Sequence, residues 1–243
     1  MDDEGTAVST PDETLTRALF AVAGELQITM ASVPVRASET GQIGVRESDL
    51  QRALCRALQA QLGSVASIEG PLPPAVKKHW SGRLGRADVL ASLESTNVYF
   101  ETKLCANDKL YEAVWDLLKL ALLTALPEPA VGYLIYAAPE AGWKSKTDRP
   151  IAIFEDGRTG VVELLGDRCA NPWRWCLDGT KTARPTSLPA HVATKRVGSV
   201  RIGSPNGAWE VRCVRVKGDI SDGWVHFGGD GWPLADQRPP DRV

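Results

Sequence analysis

The residues of this chain best suited to chemistry are Gly85-Arg86-Ala87-Asp88 and, after twelve intervening residues, Glu101-Thr102-Lys103 within the run VYFETKL. Strand alternation places Tyr99, Glu101 and Lys103 on one face and Val98, Phe100 and Thr102 on the other, so a carboxylate and an amine share a surface. With Asp88 on the neighbouring strand of a hairpin, two carboxylates and one ammonium converge. Hard oxygen ligands of that kind suit Mg²⁺, which keeps several waters and takes one or two protein carboxylates; Mn²⁺ is the natural substitute. Such an arrangement favours phosphodiester hydrolysis. The cation neutralises the scissile phosphate and lowers the pKa of a bound water, while a lysine beside it orients that water or stabilises developing charge. Lys103 is not a base here, because two adjacent carboxylates raise its pKa. The alternative is an ion-pair ladder on an exposed sheet face, which does nothing.

The elements that must position these residues follow from periodicity. Ala87 to Leu93 and Asn97 to Leu104 read as two strands of a hairpin around the polar Glu94-Ser95-Thr96. Upstream, Leu50, Leu54, Leu58 and Leu62 recur every four residues from Glu47, with Ser48 as cap and Gly63 as stop, which predicts an amphipathic helix. Downstream, a helix runs from about Asp108 to Leu126 and ends at Pro127, and Gly132 to Ala138 is a nearly continuous apolar run expected of a strand buried on both faces. The order is α-β-β-α-β. An earlier helix from about Pro11 to Leu26 opens with Thr10, Pro11 and Glu13, a capping pattern.

Beyond Pro139 turns dominate. Ile151 to Phe154 and Thr159 to Leu165 flank Asp156-Gly157, and Val197 to Ile202 and Trp209 to Val216 flank Ser204-Pro205-Asn206-Gly207, so two hairpins are expected. The segment Gly166 to Thr194 has no assignable pattern. Residues 1–9 and 237–243 read as tails, 10–44 as an accessory helix with its connector, 45–140 as the core, and 141–236 as a β-rich extension of the same sheet or a small lobe.

The chain resembles the PD-(D/E)xK nuclease superfamily over about Glu47 to Ala138, through the Gly-x-x-Asp strand, the Glu-x-Lys strand and the order of elements around them. The resemblance implies an α/β, restriction endonuclease-like core, a mixed sheet flanked by helices, with a β-rich C-terminal extension. It implies a Mg²⁺-dependent nuclease acting on DNA in preference to RNA, with Asp88, Glu101 and Lys103 as catalytic residues. Asp88 and Glu101 would be metal ligands. Glu47, at the entrance of the leucine-rich helix, carries over as the additional acid, with Asp49 as its competitor and helix-dipole complementation as the plainer role. In the superfamily the helix after Glu-x-Lys often presents Gln or Lys to the site; here the polar stripe offers Lys109, Asp116 and Lys119 without a Gln, and i,i+3 pairing of Lys109 with Glu112 and Asp116 with Lys119 is the alternative. The competing function is a non-catalytic nucleic-acid or protein interaction module on the same fold, part of a defence or repair system. One site per chain would favour a homodimer for double-strand cleavage.

Composition bounds the rest. With 243 residues, 43% hydrophobic and 24% charged, the chain can bury a core without staples, and its net charge of -2 means that any polyanion must be met by local patches. Lys77, Lys78, Arg83 and Arg86 before Asp88, with Lys109 and Lys119 after it, are the candidate nucleic-acid contacts. A second basic stretch, Lys181 to Lys217, holds Glu210 as its sole acid, with Trp173, Trp175 and Trp209 in or near it as surfaces on which bases could stack. Five scattered cysteines, an acidic amino terminus and no long apolar run point to a cytoplasmic protein with no membrane partner. Isolated histidines and the absence of Cys-x-x-Cys, phosphate-loop and Gly-x-Ser-x-Gly patterns leave zinc, ATP-driven and serine-hydrolase chemistry without support.

Overall fold

The computed structural model describes residues 11–32, 46–62, 66–82, 85–93, 96–104, 112–139, 156–166, 184–203 and 207–228. Two helices come first, α1 (Pro11–Ser32) and α2 (Glu47–Leu62). β1 (Ala66–Gly70), a 3-10 turn (Pro74–His79) and β2 (Trp80–Ser81) follow. The hairpin β3 (Ala87–Leu93) and β4 (Thr96–Leu104) then leads through α3 (Glu112–Ala125) to β5 (Ala130–Pro139). The C-terminal part holds β6 (Gly157–Gly160), α4 (Val161–Gly166), β7 (Arg184–Pro185) and the long pair β8 (Ser187–Ile202) and β9 (Trp209–His226).

A mixed seven-stranded sheet in the order β1-β3-β4-β5-β9-β8-β6 organises the fold, with β2 and β7 forming a separate two-stranded pair. β4 and β5 are parallel, joined by α3 as the crossover, and every other neighbour pair is antiparallel. Of the strands beyond Pro139, β6, β8 and β9 therefore continue the same sheet, because β9 pairs with β5 over Gly132–Pro139.

Each face of the sheet has its own core. Val98 and Phe100 of β4 pack with Leu15, Leu19, Val22 and Leu26 of α1 and Leu50, Leu54 and Leu58 of α2. Tyr99 on the other face packs with Leu117, Leu120 and Ala121 of α3 and with Leu134, Tyr136, Val214 and Val216. The expected period-2 alternation of β4 and the four-residue spacing of α2 both hold, since burial of these stripes is what selects the elements. α3 lies hard against β9: a Cβ on Gly218 would fall 2.0 Å from the Ala121 carbonyl oxygen, so only glycine permits the approach. The Gly218 amide donates to Thr124 Oγ1 at 2.8 Å, fixing the same crossing.

Several expectations are corrected. α1 continues beyond Leu26 to Ser32. Thr159 to Leu165 is not a strand: β6 pairs with β8 through Gly160, and the chain then turns into α4, burying Val161 and Leu164 at i,i+3. Its expected partner Ile151 to Phe154 lies outside the described residues. Ser48 does not cap α2. Asp49, at the third helical position, accepts from the Arg46 amide at 2.8 Å, the returning half of a capping box. Among the described residues no helix is long and apolar enough to cross a membrane.

Candidate active site

The site forms where β3 and β4 part. Their last registered pair is Val89 with Phe100, so beyond it β4 has no main-chain ladder partner on that side among the described residues. The side chain of Asp88 replaces it: Oδ2 accepts from the Thr102 amide at 2.8 Å and from Thr102 Oγ1 at 2.9 Å. Thr102, the middle residue of Glu-x-Lys, thus orients the aspartate, while Glu101 and Lys103 on either side of it project toward α3. Strand register carries this: Glu101 stands beside Leu134 and Lys103 beside Tyr136, both in the core on the α3 face.

Three ion pairs tie strand to helices. Lys103 Nζ lies 3.3 Å from Asp116 Oδ2 of α3 and 3.5 Å from Glu47 Oε2 at the start of α2. The Glu47 carboxylate also accepts from the Leu104 amide, which joins the α2 N-terminus to the end of β4. Lys119 Nζ lies 2.6 Å from Glu101 Oε2 and donates to the Arg86 carbonyl oxygen at 3.0 Å. Asp116 and Lys119 are one helical turn apart, yet each has its strand partner, in place of the simple i,i+3 pair the sequence allowed.

Burial separates this cluster from an exposed ion-pair ladder. Glu101 is 1% exposed and Asp116 8%, whereas an ordinary surface pair keeps most of its hydration. Desolvation dominates the electrostatics. It raises Glu101 well above the usual carboxylate range; Lys119 opposes this, and Asp116 and Asp88 add to it. Asp116 and Glu47 are raised by burial in the same way, against the pull of Lys103. Burial also disfavours the two ammonium groups, but their carboxylate neighbours outweigh it and hold Lys103 and Lys119 above the normal lysine value. Asp88 contributes to the shift of all five.

Counted as fully ionised, four carboxylates against two ammonium groups carry two negative charges in excess, and the raised carboxyls show that the site is short of positive charge. Glu101 Oε1 is buried without a hydrogen-bond partner, and Asp116 Oδ2, also buried, has the Lys103 ammonium at 3.3 Å as its one close cation. Buried orphans of this kind are costly unless something satisfies them. The donor set is all oxygen, which fits Mg²⁺ or Mn²⁺. Among the described residues no three His, Cys, Asp or Glu side chains form a ready metal cage, so a cation here would draw the rest of its shell from water and substrate.

Of the sequence candidates, the structure brings together Asp88, Glu101, Lys103 and Glu47. Glu47 lies in the cluster beside Lys103, whereas Asp49 turns back to the Arg46 amide and to Arg52. Lys119, expected as a nucleic-acid contact, is largely withdrawn from the surface and paired with Glu101. Asp116 is the residue whose role the sequence left open, and its signal is a charged i,i+3 pair set among Leu117, Leu118 and Leu120 on a buried helix. Lys77, Lys78 and Arg86 are exposed, with Arg86 donating to the Glu69 carbonyl oxygen at 3.2 Å. Arg83 and Lys109 lie outside the described residues. In the second basic stretch Lys195 stands directly opposite Arg215, on the face away from Glu101. Trp209 is buried in the core and cannot stack on a base, and Trp173 and Trp175 lie outside the described residues.

Comparison of the chain with protein-family models, with curated proteins and with solved structures returned no match.

Proposed function

We propose that this chain is a Mg²⁺-dependent nuclease that hydrolyses phosphodiester bonds, DNA in preference to RNA, on a restriction endonuclease-like core. The observation that carries the reading is the buried cluster at the parting of β3 and β4, where Asp88, Glu101 and Lys103 meet Glu47, Asp116 and Lys119 with two negative charges to spare. The α-β-β-α-β order and the resemblance to PD-(D/E)xK enzymes support it.

Asp88 and Glu101 would hold the cation, with Glu47 beside them, and the cation when bound would supply charge neutralisation at the phosphate and an acidified water. The protein's own part is placement. Thr102 aims Asp88 through two donors. Lys103, held charged by Asp116 and Glu47, donates to a phosphate oxygen or to the attacking water and stabilises the charge that develops there. Lys77, Lys78 and Arg86 give a nucleic-acid backbone its first cations.

The test is cleavage of single- and double-stranded DNA, linear and circular, and of RNA, with Mg²⁺ or Mn²⁺ against EDTA. Asp88→Ala and Lys103→Ala should each lower metal-dependent cutting by about a hundredfold or more with folding intact. Binding of nucleic acid without cutting by the wild type on any of these substrates would favour the interaction-module reading.

A further inference from the structure

The Lys119 ammonium occupies one side of the carboxylate that the proposed activity needs most. It lies on Glu101 Oε2 at 2.6 Å and is held from behind by the Arg86 carbonyl oxygen at 3.0 Å. Two fixed acceptors in a buried setting leave a lysine little freedom to swing away. Its helix neighbour Asp116 is engaged with Lys103 on the other side of the cluster. The two ammonium groups therefore take two of the four negative charges at fixed positions, and Glu101 Oε1 remains as a buried acceptor with no hydrogen-bond partner.

We infer that the site takes a single divalent cation per chain, on the Asp88 and free Glu101 Oε1 side, and that Lys119 is a resident cation filling the place where a second metal ion would stand. The inference rests on the proposed hydrolase reading and makes it more specific. A two-metal phosphodiester site places its ions about 3.5–4 Å apart as a symmetric clamp on the attacking and leaving oxygens. Here one half of that clamp is an ammonium built into α3. Charge balance agrees: counted as fully ionised, the two excess negative charges match one divalent ion, and a second would leave two positive charges in excess. The ammonium also sets the affinity for the first ion, because like charges a few ångströms apart in a poorly hydrated site repel strongly. Removing it should tighten metal binding even where it slows chemistry.

The measurement is Mn²⁺ binding to the full chain by electron paramagnetic resonance, which counts bound ions without relying on activity. Wild type should bind one Mn²⁺ per chain. Lys119→Met should bind its first Mn²⁺ roughly tenfold tighter or accept a second, and Lys119→Arg, which keeps the charge, should bind one ion with near wild-type affinity. Two ions bound by wild type would overturn the inference while leaving the hydrolase reading in place, and so would unchanged stoichiometry and affinity in a folded Lys119→Met. Should Lys119→Met fail to fold, wild-type stoichiometry decides the count. No Mn²⁺ bound by the wild-type chain, together with no cleavage, would remove the hydrolase reading itself.

Discussion

Thr102 holds Asp88 by two hydrogen bonds to one oxygen, from its amide at 2.8 Å and from its hydroxyl at 2.9 Å. The residue between Glu101 and Lys103 of β4 thus aims the acid contributed by β3. Thr102→Val keeps the shape and β-branching and removes the hydroxyl donor alone. A hydrogen bond to a charged group is worth about 1.5–3 kcal/mol, so the variant should lose stability of that order in chemical denaturation. Its carboxylate, held now by the amide only, should also bind Mn²⁺ more weakly. A Thr102→Val chain with wild-type metal affinity would show that the amide alone orients Asp88.

Glu47 and Asp49 sit two residues apart in the first turn of α2 and do different work. Asp49 accepts from the Arg46 amide and pairs with Arg52 at 2.7 Å, and its pKa is lowered chiefly by that amide. Asp49→Ala should cost about 1 kcal/mol in stability, as loss of a cap does, and leave metal-dependent cutting within twofold of wild type. Glu47→Gln should do the reverse. It leaves α2 intact but removes a charge that restrains Lys103, so cutting should fall about tenfold or more with little change in melting temperature. Parallel melting and cleavage curves for the two variants separate the roles.

The raised carboxyls at the site impose a pH dependence on the metal-free chain. Burial lifts Glu101 and Asp116 above their ordinary values of 4.5 and 3.8. A carboxyl that holds its proton more tightly when folded contributes stability at low pH, and that contribution is lost as pH rises from the ordinary value through the folded one. Lys103 and Lys119 are raised as well, so their contribution is complete below the ordinary lysine pKa of 10.5 and constant across this window. Glu101→Gln removes the larger carboxyl effect. In EDTA, its melting temperature relative to wild type should therefore climb as pH increases above about 4.5. Saturating Mn²⁺ should stabilise the wild type and shrink the difference.

The sequence made the centre of the fold legible because its signals there agree. β4 alternates, α2 repeats every four residues, and β5 is apolar without interruption after a crossover helix. Asp88, Glu101 and Lys103 could be placed on that frame by counting. The partners of Asp116 and Lys119 could not. An i,i+3 pair on a helix looks the same whether the two charges face each other in water or two strand residues in a core, and only the packing of α3 decides. β1 was hidden for a related reason: burial is confined to Ala66 and Gly70 at its ends, so Ser67, Ile68 and Glu69 show no alternation. At Val161 and Val162 β-propensity misled, because the burial of Val161 and Leu164 at helical spacing outweighs it.

The position of α3 on the sheet, and with it Asp116 and Lys119, depends on Gly218. A methyl group there would lie 2.0 Å from the Ala121 carbonyl oxygen and 2.9 Å from the Ala125 side chain, and a backbone oxygen cannot swing aside as a flexible side chain can. Gly218→Ala must push α3 away from β9, so it should cost about 1–3 kcal/mol or more. Gly203 provides the matched control, since a methyl group there meets nothing within 4 Å and Gly203→Ala should stay within about 0.5 kcal/mol of wild type. The consequence for the site is separate from stability. Moving α3 by even a few tenths of an ångström lengthens the contacts of Lys119 with Glu101 and of Asp116 with Lys103. Measured well below its melting temperature, folded Gly218→Ala should therefore show altered Mn²⁺ affinity, with Gly203→Ala unchanged. A Gly218→Ala chain that is destabilised yet binds Mn²⁺ like wild type would mean that α3 yields at its β9 end without moving the residues that face β4.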